Sequence, residues 1–119
     1  MSGNGGIGDE LNKKISSLEG VFIDKSQGMT AEISINHPDW PSGEKLCWCR
    51  IGGDLQIVVG SIQNGGKPLL ECPRIIRVVA ADFLSNLWDE IDKRVKSVEA
   101  SVVRATAQVD ALTSRLKSK

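Results

Sequence analysis

The apolar residues of the C-terminal third recur alternately four and three positions apart. The series comprises Leu84, Trp88, Ile91, Val95, Val98, Val102, Ala105, Val109, Leu112 and Leu116. This spacing keeps the side chains in one narrow stripe for more than four heptads, which is the pattern of a coiled coil. The sequence therefore predicts one long helix that starts at Pro73, where a missing N–H costs no hydrogen bond, and runs to Lys119.

The apolar content of this predicted helix changes near Ile91. Between Ile75 and Ile91 the apolar residues fill more than one stripe, so this part is expected to cover a sheet and carry the core. Beyond Ile91 they thin out to the stripe, with Val103 outside it. We therefore expect a flexible tail at residues 1–8, a head domain at 9–91 and a coiled-coil extension at 92–119.

The stripe predicts a contact with another helix. The expected interface residues are Trp88, Ile91, Val95, Val98, Val102, Ala105, Val109, Leu112 and Leu116. β-Branched residues at the positions of Val95, Val102 and Val109 favour a parallel coiled coil of two helices. The other positions of the stripe, where such coils prefer Leu, are not uniformly Leu. The expected partner is a second copy, with a dimer favoured, or a helix of another coiled-coil protein. The direction of pairing and the number of chains stay open.

Upstream of Pro73 the apolar pattern predicts a short helix and then strands with a period of two. A short helix is predicted first, from an N-cap at Asp9 to a C-cap at Gly20. Alternation and turn residues then predict strands at 21–25, Met29–Ile35, Lys45–Ile51, Leu55–Ile62 and Pro68–Cys72. Gly52-Gly53-Asp54 marks the clearest hairpin. The predicted fold is α+β, with a short N-terminal helix, a four- to five-stranded antiparallel meander and a long C-terminal helix that extends as a coiled-coil arm.

Composition narrows the function classes. Acidic and basic residues balance at 15 each, so bulk charge indicates neither a membrane nor a nucleic-acid partner. The first residues show no signal-peptide pattern, and the apolar runs are shorter than the roughly 20 residues that span a bilayer. Three cysteines, an odd number, do not form a closed disulfide framework. A reducing, cytoplasmic location is therefore expected.

The cysteines offer the main candidate chemistry. Cys47 and Cys49 share one face of a predicted strand, with Trp48 on the other, and Cys72 and His37 complete four candidate zinc ligands. A C-x-C pair within a strand lacks the usual turn spacing, so we expect Cys47 and Cys49 to pack as small hydrophobes on the core face. Cys72 precedes a predicted helix, which could lower the pKa of its thiol, but packing is favoured there as well. Metal binding stays open.

No catalytic motif stands out. His37 is the only histidine, so no triad or histidine-based metal cluster can form within one chain. The glycine-rich stretch Gly3–Gly8 lacks a preceding strand and the Gly-Lys-Ser/Thr ending of a phosphate-binding loop. We therefore expect no enzyme activity and no cofactor.

The expected function is a non-enzymatic scaffold or adaptor subunit that associates through the C-terminal helix and presents its head to a partner. The candidate partner surface comprises Trp40, in a proline-flanked loop, and Trp48 and Arg50, on an exposed strand face. The alternative is a nucleic-acid-associated protein, since residues 93–119 carry a net charge of +5. The chain has no Tyr and its basic helix has no aromatic residues, which argues against base stacking.

Overall fold

The computed structural model describes residues 9–118 and confirms the α+β class. Its elements are α1 (Asp9–Ser26), β1 (Ala31–Ser34), β2 (Lys45–Ile51), β3 (Asp54–Ser61), β4 (Gly65–Pro68), a 3-10 turn (Leu69–Glu71), α2 (Arg74–Ala81) and α3 (Leu84–Lys117). The tail expected at residues 1–8 lies outside the described residues.

The four strands form one antiparallel sheet in the order β1-β2-β3-β4, which confirms the meander. The β2–β3 hairpin turns at Gly52 and Gly53, whose φ angles of 62° and 93° suit a two-residue turn that matches the twist of its strands. The register places Ala31, Trp48 and Ile57 side by side across three strands. These residues and the rows beside them form the face on which the helices pack.

The first helix is longer than predicted, and the strand predicted at 21–25 is wrong. α1 runs through Gly20 to Ser26, and Phe22 is buried at 3 % exposure. Leu11, Ile15, Leu18 and Phe22 continue one helical stripe, so packing on the sheet outweighs the preference of Gly20 for a helix end. The chain leaves the helix instead at Gln27 and Gly28, which both adopt positive φ.

The last strand also differs from its prediction. β4 occupies Gly65–Pro68, and Leu69–Glu71 forms a 3-10 turn, so the strand predicted at Pro68–Cys72 is wrong. β4 starts early because two glycines let the backbones approach closely. A Cβ atom on Gly66 would lie 2.2 Å from the Val59 carbonyl oxygen, and one on Gly60 would lie 2.2 Å from the Gly65 oxygen.

The predicted single C-terminal helix is two helices. α2 ends at Ala81 and α3 starts at Leu84, with Phe83 at φ −114° and ψ 2° between them. Two short-range bonds close α2, from Asp82 N–H to the Val79 oxygen (3.2 Å) and from Phe83 N–H to the Ala80 oxygen (2.8 Å). Ile76 and Val79 of α2 and Leu87 of α3 lie on either side of this break and belong to one core.

The core lies between the sheet and the three helices. Its fully buried side chains include Trp48, Leu46 and Ile57 from the sheet and Ile15, Leu87 and Ile91 from the helices. Burying each such side chain contributes about 1.5–3 kcal/mol, so this cluster supplies most of the apolar stabilisation of the head.

Glu19 of α1 bonds to a part of β3 that β4 does not pair with. The last β3–β4 pair is Val58 opposite Pro68, and the neighbouring Ile57 N–H donates to Glu19 Oε2 at 2.8 Å. Burial raises the pKa of the Glu19 carboxyl above its ordinary value of 4.5, and the bond from Ile57 opposes this rise only in part. The folded state therefore binds a proton here more tightly than the unfolded state.

Stability is expected to fall as the pH rises from about 4.5 through the raised pKa of Glu19, because only the folded state holds the proton in that window. Glu19→Gln keeps an acceptor for Ile57 N–H and should remove this slope from the free energy of unfolding. Glu19→Ala leaves the N–H without a partner and should cost about 1–3 kcal/mol at neutral pH. Denaturation of the three proteins across pH 4–8 checks this, and an unchanged slope in the glutamine variant would contradict it.

Candidate interaction surfaces

The most prominent exposed apolar surface is the distal part of α3. Val95 is the last buried residue of the helix at 6 % exposure, and residues 96–118 are all exposed. We call the six apolar residues beyond it that keep the alternating spacing the distal stripe, namely Val98, Val102, Ala105, Val109, Leu112 and Leu116. Their large members are 41–62 % exposed. Within the described chain nothing covers them.

The first residues of the predicted interface are buried in the head domain. Ile91 is fully buried and Val95 nearly so, both in the core under the sheet, so the expectation that they lie in an intermolecular seam is wrong. Trp88 is half-buried and packs against Phe22 of α1, with ring centroids 5.3 Å apart. The spacing of these residues continues that of the distal stripe, and only the tertiary contacts separate the two sets.

The candidate partner surface at Trp40, Trp48 and Arg50 is mostly buried. Trp48 is a fully buried core residue in edge-to-face contact with Phe22 at 5.2 Å, so the prediction that it lies on an exposed face is wrong. Trp40 is 6 % exposed, and its indole N–H donates to the Glu44 oxygen at 2.8 Å. Trp40 therefore holds the loop to the domain. Of the three residues Arg50 alone is exposed, and it donates to the Gly53 oxygen at 3.2 Å.

The two strand cysteines lie on the outer face of the sheet. They share one face and oppose Trp48, as alternation predicts, but the core is on the Trp48 side, so their expected place on the core face is wrong. Cys47 and Cys49 form a small buried cluster with Val58. Burial raises the pKa of the Cys47 thiol to about 12 and also raises that of Cys49. Both thiols are therefore protonated at neutral pH and poorly nucleophilic.

The carboxylate of Glu32 closes this outer cluster. Its Oε2 lies 3.1 Å from the Lys45 Nζ, and its Oε1 accepts the Ile62 N–H at 3.0 Å. The backbone bond and the nearby ammonium lower the pKa of Glu32. The group thus ties β1 to β2 and to the turn after β3, which is a structural role.

The four candidate zinc ligands do not converge. Cys72 packs in the main core, and burial raises the pKa of its thiol. The lowering of this pKa that its position before a helix could have caused is therefore not found. His37 sits in the loop after β1, and its Nδ1 accepts the Asp39 N–H at 3.1 Å. Within residues 9–118 no three His, Cys, Asp or Glu side chains are grouped as a metal site would require.

Sequence reasoning missed an apolar cleft between α1 and α3. It has a volume of about 360 Å³ and is lined by Leu18, Val21, Phe22, Leu84, Ser85 and Trp88. The cleft exists because α1 continues past Gly20 and places Phe22 against Trp88. The spacing of Leu18 and Phe22 was the available signal, and the helix end expected at Gly20 concealed it.

Comparison with known proteins adds no relative. The chain matches no protein-family model, no curated protein and no solved structure. Among the described helices, none combines the length and apolar character needed to cross a membrane.

Proposed function

We propose that this protein is a non-enzymatic scaffold or adaptor subunit that associates with a second copy through the distal stripe and presents its α+β head. One observation supports this most directly: Val98 to Leu116 expose a continuous apolar stripe on a helix that has left its own core. Most of the stability of a helix in a protein comes from packing of its apolar face, and in the single chain this part of α3 has no such packing. A long exposed apolar stripe on such a helix is typical of an association surface.

The energetics allow a dimer whose population depends on concentration. Each large stripe residue is about half exposed, so covering it contributes roughly 1 kcal/mol. Two copies together would bury twelve stripe residues, and the resulting gain of about 10 kcal/mol is similar to estimated association costs of about 4–15 kcal/mol. The three free cysteines fit a reducing compartment, and we place the protein in the cytoplasm.

Nucleic-acid binding by the basic helix receives less support. Lys93 lies 3.1 Å from a carboxylate oxygen of Glu90, and Lys96 lies 2.9 Å from one of Asp92. These pairs reduce the positive charge that the helix would offer to phosphate. A steeply salt-dependent affinity for DNA or RNA would nevertheless favour this alternative over the scaffold.

The proposal predicts the mass of the protein in solution. The full chain should approach twice its 12.9 kDa as the protein concentration is raised and return toward 12.9 kDa on dilution. A chain that ends at Ser97 keeps every buried residue and should be a folded monomer. Analytical ultracentrifugation gives both masses, and the fluorescence of Trp40, Trp48 and Trp88 reports whether the shortened head is folded. A full chain that stays monomeric would overturn the proposal.

A further inference from the structure

The distal stripe points in the direction of the sheet. At 100° per residue, its mean direction lies within about 30° of the mean direction of the core-facing residues Leu84, Leu87, Ile91 and Val95. The head therefore occupies the space on the stripe side of α3 directly before Val98. A second helix that covers the stripe approaches along the side where the sheet already lies.

This geometry disfavours a parallel pair. Paired helices lie about 8–10 Å apart, so the two-fold axis of a parallel dimer runs about 4–5 Å from each α3 on its stripe side. Extended toward Ile91, that axis enters the region where each sheet packs on its own α3, and the two heads would compete for it. An antiparallel pair avoids this conflict because the heads lie at opposite ends.

We propose that two copies pair through their distal stripes in antiparallel orientation, an inference that rests on the proposed function. The register places Val98 opposite Leu116, Val102 opposite Leu112 and Ala105 opposite Val109 of the second copy. Every exposed stripe residue then has a partner, and no layer needs Ile91 or Val95. A shift of one heptad in one direction would place Leu116 of the second copy against Ile91, which the sheet covers.

The sizes of the paired side chains agree with this register. In a parallel dimer Ala105 would face Ala105 and leave a thin layer, while Leu112 and Leu116 would each face themselves. In the antiparallel register Ala105 meets Val109, and each Leu meets a Val, so the layers are more even in volume. Even layers pack with fewer voids. The valines of the stripe, whose β-branched side chains favour a parallel coil when they face one another, therefore face Leu or Ala in this register.

Charge favours the same orientation. Residues 100–119 carry four basic residues and one acidic residue, a net charge of +3, so residues 1–99 of this neutral chain carry −3. A parallel pair places the two basic segments side by side. In the antiparallel register Arg104 lies level with Asp110 of the second copy and Arg115 lies level with Glu99, which is the complementary arrangement.

Disulfide trapping in the full chain tests the orientation. Val98→Cys and Leu116→Cys chains are prepared separately and oxidised alone and as a mixture. In the antiparallel register, residue 98 faces residue 116 of the second copy, whereas two copies of residue 98 lie about 27 Å apart along the axis, too far for a disulfide. The expected result is a cross-linked dimer that forms only in the mixture. The parent chain, whose three cysteines are buried, is the control and should give no cross-link.

Each outcome of the trapping separates the orientation from the proposed function. Cross-links in each single variant alone would overturn the antiparallel pair and leave the dimer intact. A dimeric mass without a cross-link in the mixture would overturn the register. A monomeric parent chain would overturn the proposed function and this inference together.

X-ray scattering gives a second measurement without substitutions. One molecule is 76 Å long, and the arm beyond Val95 accounts for about 33 Å of it. An antiparallel dimer should therefore have a maximum dimension of about 120 Å, whereas a parallel dimer should be little longer than one molecule. The shorter value, with a dimeric mass, would contradict the proposal.

Discussion

Substituting both Val102 and Val109 by Lys is expected to convert the protein into a monomer while the head stays folded. Both residues lie in the distal stripe and are 57 % and 62 % exposed in the single chain, so the substitutions remove no contact within the head. In a dimer they would place four ammonium groups in the apolar seam. We expect association to weaken at least about 100-fold, which corresponds to about 3 kcal/mol.

Two optical signals separate assembly from folding in this experiment. All three tryptophans lie at or before Trp88, so their fluorescence reports only the head and should not change. Far-UV circular dichroism should lose helical signal, because the arm of a monomer has no packing partner. Ultracentrifugation of the same samples gives the mass.

Val103→Lys is the matched control for the stripe. Val103 is 71 % exposed and points about 140° away from the centre of the stripe, so its substitution should leave the mass unchanged. If this control dissociates the protein as strongly as the double variant, the seam has been assigned to the wrong face of α3. If tryptophan fluorescence shows that the head of the double variant no longer folds, the separation of arm from head is wrong.

Trp48→Ala is expected to destabilise the head by about 3–5 kcal/mol, a large part of the roughly 5–15 kcal/mol that stabilises a typical domain. The side chain is fully buried and in edge-to-face contact with Phe22, so its removal leaves a cavity under α1. Urea denaturation followed by circular dichroism at a fixed protein concentration measures the loss. The concentration is fixed because association contributes to apparent stability.

Arg50→Ala tests the neighbouring side chain on the same face of β2. Arg50 is exposed and makes one hydrogen bond, to the Gly53 oxygen, so we expect a change within about 0.5–1 kcal/mol. Equal stability of the Trp48→Ala and parent chains would contradict the placement of Trp48 in the core. It would also restore Trp48 as a candidate partner residue.

Local patterns predicted much of the sheet. β2 was predicted at Lys45–Ile51 and β3 within one residue of its observed limits, because Gly52 and Gly53 fix a tight turn between two alternating runs. The strand predicted at 21–25 and the helix end at Gly20 failed together. Residues with β propensity, such as Val21 and Ile23, are exposed on α1, while Phe22 in the same stretch packs into the core. Contacts with the distant Trp48 and Trp88 decided that segment.

The candidate interaction surfaces were likewise predicted only in part. Alternation showed that Cys47 and Trp48 lie on opposite faces of β2, but both residue types are commonly buried, so the pattern did not indicate which face the helices cover. The stripe of α3 had one uniform spacing from Leu84 to Leu116. Its division at Val95 is where the sheet ends beneath the helix, and the spacing contains no information about that limit.

By itself, the sequence determined the α+β class, the β2–β3 hairpin and a long apolar stripe on the last helix, because periodicity and turn residues are local properties of the chain. The tertiary structure alone decided the length of α1, the break at Asp82 and Phe83, the face of the sheet that is covered, and the residues of the stripe that remain exposed. The physical reason is that a period identifies which residues share a face. What covers that face depends on elements that are distant in sequence and meet only in the folded protein.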